Sequence, residues 1–151
     1  MKRLSKAYYT DGACSSNGYK ESHGGYGVVL VNEETNEILW EYQEFKAPTT
    51  NNEMELMAIL KAMQHGQNEF AKPTIYTDSA YCCNLINTWM FSWARNGWKR
   101  PKNQEVKNLE IIKQIYELAP LYYVKKVDGH SGIIGNEIAD QLATGKRKIK
   151  T

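Results

Sequence analysis

A chain of 151 residues, 42% hydrophobic and 24% charged, fits one globular domain around one core. No apolar run reaches transmembrane length, and no apolar stretch follows the basic start Met1-Lys2-Arg3-Leu4-Ser5-Lys6. A membrane span and a secretory signal are therefore not expected, and Cys14, Cys82 and Cys83, odd in number and without CxxC spacing, point to reduced thiols in the cytoplasm. The net charge of +2 is unevenly spread: residues 93–107 carry +4 and the tail 146–150 another +4, which leaves −6 for the rest. An acidic body with basic appendages suits a polyanion binder that also holds cations.

The chain opens on Ala7-Tyr8-Tyr9-Thr10, aromatic and β-branched, a strand expected to end at Asp11-Gly12. Residues 15–24 read as a loop, Gly25 to Val31 as a second strand, and Asn32 to Asn36 as a turn. Ile38 to Phe45 alternates as a third strand, with Ile38, Trp40, Tyr42 and Glu44 on one face. Short turns between these runs predict an antiparallel meander. Thr50 with Glu53 forms a capping box for a helix over Met54 to Gln67, and Glu55 falls on its apolar stripe beside Ala58, Ile59 and Ala62.

Residues 73–78 read as a fourth strand ending in Thr77-Asp78, with Ser79 capping a helix that continues or kinks through Trp89 and Trp93 to the stop at Asn96-Gly97. A basic irregular stretch headed by Trp98 follows, then helical spacing over Glu105 to Leu118, ended by Pro120. Leu121 to Val127 reads as a fifth strand, 128–132 as a loop, and Asn136 as the cap of a last helix holding Glu137 and Asp140. The order predicts an α/β fold: a mixed five-stranded sheet, antiparallel meander plus parallel strands, flanked by helices on both faces.

In such a sheet the functional crevice lies beyond the carboxyl ends of adjacent parallel strands. Asp11 and Asp78 belong there if the first and fourth strands are neighbours, with Glu55 approaching from one helix and Asp140 from another. Asp11, Asp78 or Glu55 taken singly is more often a turn, cap or partly exposed helix residue, and Asp140 alone could pair with a lysine of the last helix. Together they would repel one another without a cation. Hard oxygen ligands suit Mg²⁺ or Mn²⁺, and two such ions suit in-line displacement at phosphorus.

Four motifs carry a resemblance: Tyr9-Thr10-Asp11-Gly12-Ala13-Cys14, Thr49 to Leu56, Tyr76-Thr77-Asp78-Ser79, and Gly129-His130-Ser131-Gly132 with Asn136, Glu137 and Asp140. The chain resembles type 1 ribonuclease H, the bacterial form with a basic protrusion. The resemblance implies a ribonuclease H-like fold over residues 1–151, a protrusion at about 89–108 and a basic tail at about 145–151. It implies hydrolysis of the RNA strand of RNA–DNA hybrids with two Mg²⁺ ions (or Mn²⁺), leaving 5′-phosphate and 3′-hydroxyl ends, by a monomer. Asp11, Glu55, Asp78 and Asp140 would bind metal, with Asp11 bridging both ions, and His130 would assist proton transfer or product release. Cys14, Asn17, Asn51 and Asn52 would read the RNA minor groove. Thr50 would reach a DNA phosphate, and Trp89, Trp93, Trp98, Lys99, Arg100 and Lys102 would contact the DNA backbone.

Two departures stand out. Ala80 replaces a glutamine that often contacts RNA, and Ile133-Ile134 make the His130 loop less polar than usual. The competing readings are a non-catalytic hybrid-binding module, an integrase or 3′-exonuclease of the same superfold, and a domain of a reverse transcriptase.

Overall fold

The computed structural model describes residues 5–15, 22–69, 71–129 and 132–149. Strands β1 (Lys6–Ser15), β2 (His23–Asn32) and β3 (Glu37–Lys46) form the antiparallel meander. Helix α1 (Asn51–Gly66) leads to β4 (Thr74–Thr77), which pairs parallel with β1. Strand β7 (Val124–Lys126) pairs parallel with β4, giving the order β3-β2-β1-β4-β7. The expected mixed five-stranded sheet is thus observed.

Strand β1 does not end at Asp11. It stays paired with β2 as far as Ser15, and Asp11 faces Gly27 within that ladder. What ends is β4, whose pairing with β1 stops at Thr10 opposite Thr77. The crevice opens because one neighbour stops while the other continues, so Gly12 is no strand breaker. A second departure concerns β3. The register slips between Leu30 and Val31, leaving Leu39 without a cross-strand partner. One extra residue reverses the alternation. Ile38 therefore joins the apolar cluster on the opposite face from Trp40 and Tyr42.

Helix α1 is the spine of the larger core. Thr50 Oγ1 caps it by accepting from the Glu53 amide at 3.1 Å. The Glu53 carboxylate does not complete the capping box as described in the sequence. It accepts instead from Thr49 Oγ1 at 2.5 Å and from Lys46 Nζ at 2.8 Å. Met54, Leu56, Ile59, Leu60 and Met63 are buried between the sheet and helix α4 (Leu109–Leu118), which contributes Ile112 and Ile115. Each fully buried aliphatic side chain contributes about 1.5–3 kcal/mol. At the far end of α1, His65 stacks on Trp40 at 3.6 Å and shares a 2.6 Å hydrogen bond with Tyr8.

After β4, Ser79 caps α2 (Ala80–Asn84), a π turn spans Leu85–Trp89, and α3 (Met90–Arg95) follows. A small hairpin pairs β5 (Lys99–Arg100) with β6 (Gln104–Glu105). The helix expected from Glu105 begins only at Leu109, because Gln104 and Glu105 are taken by the hairpin and Asn108 has φ +59°. The strand expected from Leu121 is likewise shorter: Leu121 closes a 3₁₀ turn and pairing begins at Val124.

Helix α5 (Ile134–Thr144) covers the other face, packing Ile138, Ala139 and Leu142 on Ala7, Tyr9, Val29 and Val31. Asn136 does not cap it. The N-cap is Ile133, and Asn136 lies buried inside the first turn. Gly145 ends the helix at φ +79°, a left-handed conformation glycine adopts without strain. The tail then runs back over β3. Gln43 Nε2 donates to the carbonyls of Leu142 and Arg147, and Arg147 pairs with Glu41 at 2.5 Å. The basic tail is therefore held down through residue 149. No helix among the described residues is long and apolar enough to cross a membrane.

Candidate active site

The register places Asp11 and Asp78 side by side, each directly following the last β1–β4 pair, Thr10 with Thr77. Glu55 reaches them from the second turn of α1. This approach depends on Gly12, where a Cβ would sit 2.4 Å from the Glu55 amide nitrogen. Glycine alone lets helix backbone lie directly on strand backbone here. Asp11, Glu55 and Asp78 each offer a carboxylate oxygen within 4.8 Å of the others. Asp11 and Glu55 are buried and Asp78 half-buried.

The Gly12 amide donates to Asp11 Oδ1 at 2.9 Å, and Thr77 Oγ1 donates to Glu55 Oε2 at 3.5 Å. These contacts do not offset three close carboxylates. Burial, then the charges of Glu55 and Asp78, push the Asp11 carboxyl up to about 10. Burial, then Asp78, raises Glu55 to about 7. Both carboxyls are thus held above the ordinary carboxylate range, chiefly by burial and by one another's charge. An all-oxygen donor set that strained by like charge fits a hard divalent cation.

Asp140 approaches from α5 on the other side. A hydrogen bond with it also raises Asp11, and it shares a cavity of about 190 Å³ with Asp78. Asn136, Glu137, Gln141 and Lys146 complete that cavity. The four predicted acids therefore converge, three tightly and Asp140 at the flank. His130 lies outside the described residues, as does Asn17. Beside that loop, Ile133 packs into the α5 core and Ile134 is exposed.

The other expected contacts divide into two groups. Thr50, half-buried, and Asn51 and Asn52, exposed, stand at the start of α1. As an N-cap the Thr50 oxygen accepts a bond, and its O–H remains able to donate. A cleft of about 390 Å³ joins Thr50 to Ser22, Lys46 and Asn108. Asn108 belongs to none of the sequence motifs and stands there in a left-handed backbone conformation that asparagine tolerates. Cys14 is half-buried on β1, its Sγ 3.5 Å from the Thr49 carbonyl, and burial raises its thiol.

The second group is the aromatic arm. Trp89 and Trp93 lie 6.3 Å apart and line a groove of about 340 Å³ with Arg100. Lys99 and Lys102 are exposed, and Arg100 Nε donates to the Glu105 carbonyl at 2.8 Å. Trp98 is not part of that groove. It stands edge-on to Tyr116 at 5.3 Å with Lys113 over its face. Ala80 is exposed at the head of α2.

The chain is similar to known proteins along nearly its whole length. The RNase H family model matches residues 4–148. A ribonuclease H from Caldicellulosiruptor saccharolyticus is 39% identical over 89% of this chain and 90% of its own length. A crystal structure of a type 1 RNase H with the type 2 active-site motif superposes with a TM-score of 0.76 at 27% identity, over 95% of this chain and 73% of that one. The foamy viral protease-reverse transcriptase in complex with RNA/DNA hybrid shares the fold. Its TM-score is 0.82 at 24% identity, and this chain spans 93% of its own length but 19% of that longer one. Sequence, fold and acid cluster lead to one conclusion: the chain belongs to the ribonuclease H family.

Proposed function

We propose that the chain is an endoribonuclease that hydrolyses the RNA strand of RNA–DNA hybrids, giving 5′-phosphate and 3′-hydroxyl ends. The observation that carries this reading is the Asp11–Glu55–Asp78 cluster, three carboxylates within 4.8 Å where β4 stops beside β1 and α1 crosses over them. With Asp140 they would hold two divalent cations, Mg²⁺ or Mn²⁺. Bound there, the cations supply Lewis-acid activation of water and stabilise charge on the leaving oxygen.

The chain's own residues do the rest. Strands β1 and β4 and helix α1 fix the acids before substrate arrives, so little reorganisation is needed during reaction. His130 is assigned proton transfer from its motif, a task an imidazole performs near neutral pH. Cys14, Asn17, Asn51 and Asn52 read the RNA strand, whose 2′-hydroxyl both donates and accepts. The Thr50 cleft, with Lys46 and Asn108, takes a phosphate of the DNA strand. Trp89, Trp93, Lys99, Arg100 and Lys102 hold the backbone further along without reading sequence, with Trp98 bracing the arm against Tyr116. The protein works as a cytoplasmic monomer.

The test is Mg²⁺-dependent cleavage of one end-labelled sequence presented as hybrid, RNA duplex, DNA duplex and single-stranded RNA. Cleavage confined to the RNA of the hybrid, and lost in Asp11→Asn, is the expected result. Tight hybrid binding without cleavage would replace the reading with a non-catalytic module. Cleavage of DNA would point to the integrase or exonuclease branch.

A further inference from the structure

Gln43 holds more chain than a β3 side chain needs to. Its Nε2 donates to the Leu142 carbonyl at 3.0 Å and to the Arg147 carbonyl at 2.9 Å, and its Oε1 accepts from the Ile149 amide at 3.0 Å. One amide thus ties the last turn of α5 to the segment that follows. Arg147 adds an ion pair with Glu41 at 2.5 Å, its own amide donates to the Gln141 carbonyl at 3.1 Å, and Ile149 packs on the α5 face of the sheet. Ordering such a tail costs conformational entropy that these contacts offset. Between the fixed points, Gly145 turns the chain and Lys146 is left exposed at the cavity that also holds Asp78 and Asp140. The three ion pairs among the described residues do not include Lys146.

We propose that Lys146 is a substrate-contacting residue, held by the Gln43 clamp so that its amine meets a backbone phosphate of the strand lying over the Asp78–Asp140 cavity. This rests on the nuclease reading above. An ammonium is a compact, strongly hydrated point charge that suits one phosphate oxygen. With cations bound, the acids would no longer repel the same strand, and Lys146 adds a positive charge on the α5 side. Gln43 and Glu41 are positioning residues that act through it. Lys148, also exposed, does not line the cavity and serves as the internal control.

The experiment measures kcat/KM on an RNA–DNA hybrid at several salt concentrations for the whole chain and its variants. Lys146→Ala is expected to lose roughly three- to tenfold, and the slope of log kcat/KM against log salt to flatten by about 0.7–0.9, the value of one phosphate contact. Lys146→Arg restores most of the rate, and Lys148→Ala matches the parent. Gln43→Ala shows part of the Lys146→Ala loss, and the two changes together fall short of their sum, as expected if one acts through the other. Thermal unfolding of Lys146→Ala is unchanged. A Lys146→Ala enzyme with parental rate and slope overturns the proposal while leaving the nuclease reading intact. Equal losses in Lys146→Ala and Lys148→Ala also overturn it, since they indicate diffuse tail charge. If the parent chain fails to cleave the hybrid, both readings fall.

Discussion

The acid cluster and the aromatic arm are built on opposite principles. The cluster sits on β1, α1 and the end of β4, regular elements whose backbone is locked by ladder and helix bonds. Its side chains are buried or half-buried and mutually repulsive in the absence of a cation. The arm is made of two-residue strands, a π turn and four residues with positive φ: Gly97, Trp98, Lys102 and Asn108. Its lysines Lys99 and Lys102 are exposed, and Arg100 is half-buried. A catalytic centre needs fixed distances and can be placed at the expense of stability. A phosphate-binding surface needs only charge and reach, so irregular chain suffices.

The sharpest way to break the comparison is at Asp11. Asp11→Asn should lower Mg²⁺-dependent turnover by at least about a thousandfold, because it removes a ligand oxygen's charge where charge is stabilised. The same change should stabilise the cation-free fold by roughly 1–2 kcal/mol at pH 8. The folded-state values of Asp11 and Glu55 are raised, so the penalty on the folded state grows as pH rises from their ordinary range near 4 toward about 7 and about 10. The stabilisation should therefore shrink at pH 5, as thermal melts in a chelator at the two pH values would show.

Gly12→Ala comes next. A Cβ there meets Glu55 and Met54 backbone, which cannot give way as a side chain can. A loss of about 1–3 kcal/mol is expected in urea unfolding, together with lost turnover, because α1 must move and carry Glu55 with it. The arm should behave differently. Lys99, Arg100 and Lys102 changed together to Ala should weaken hybrid binding about ten- to a hundredfold and flatten its salt dependence. Stability should shift by less than about 1 kcal/mol. A large loss of kcat at saturating hybrid would show that the arm also shapes the chemistry.

The smallest effect lies away from both regions. Burial holds the His65 imidazole, stacked on Trp40, below its ordinary value. Its contribution to stability is present above about pH 6.5 and is lost as pH falls through the lowered value. Between pH 7 and 5 the parent should lose more stability than His65→Gln in thermal melts, by a few tenths of a kcal/mol and under about 1 kcal/mol. No difference would mean that the stack on Trp40 does not disfavour the charged imidazole.

The sequence displays three of the acids because each stands near a residue that marks a backbone event, even where the event is misread, as at Gly12: Gly12 after Asp11, Ser79 after Asp78, and Thr50 starting the helix that carries Glu55. The meander and the central helix are legible for the same reason. What escapes is whatever depends on a partner remote in sequence. Leu39 bulges only because β2 is there to slip against, and Ile38 changes face as a result. Glu105 heads a stretch of helical spacing yet pairs with Lys99, beside Gln104 on Arg100. Asn136 has the chemistry of a cap but is needed inside α5, where it lines the Asp78–Asp140 cavity. The tail reads as loose charge because its anchor, Gln43, stands about a hundred residues earlier.

The π turn at Leu85–Trp89 sets a phase as well as a bend. A π turn takes up about one residue more than an α turn, so everything beyond it is rotated by roughly 100° from an uninterrupted helix. With Cys82, Leu85 and Ile86 buried, unbroken helical spacing would send position 89 inward next. The extra residue sends Met90 inward instead and leaves Trp89 at 38% exposed, alongside Trp93. The outward face of the arm is thus written as an integer. Removing one residue between 85 and 89 would hide the tryptophans without altering any of them, so chain length here governs the arm as strictly as composition does.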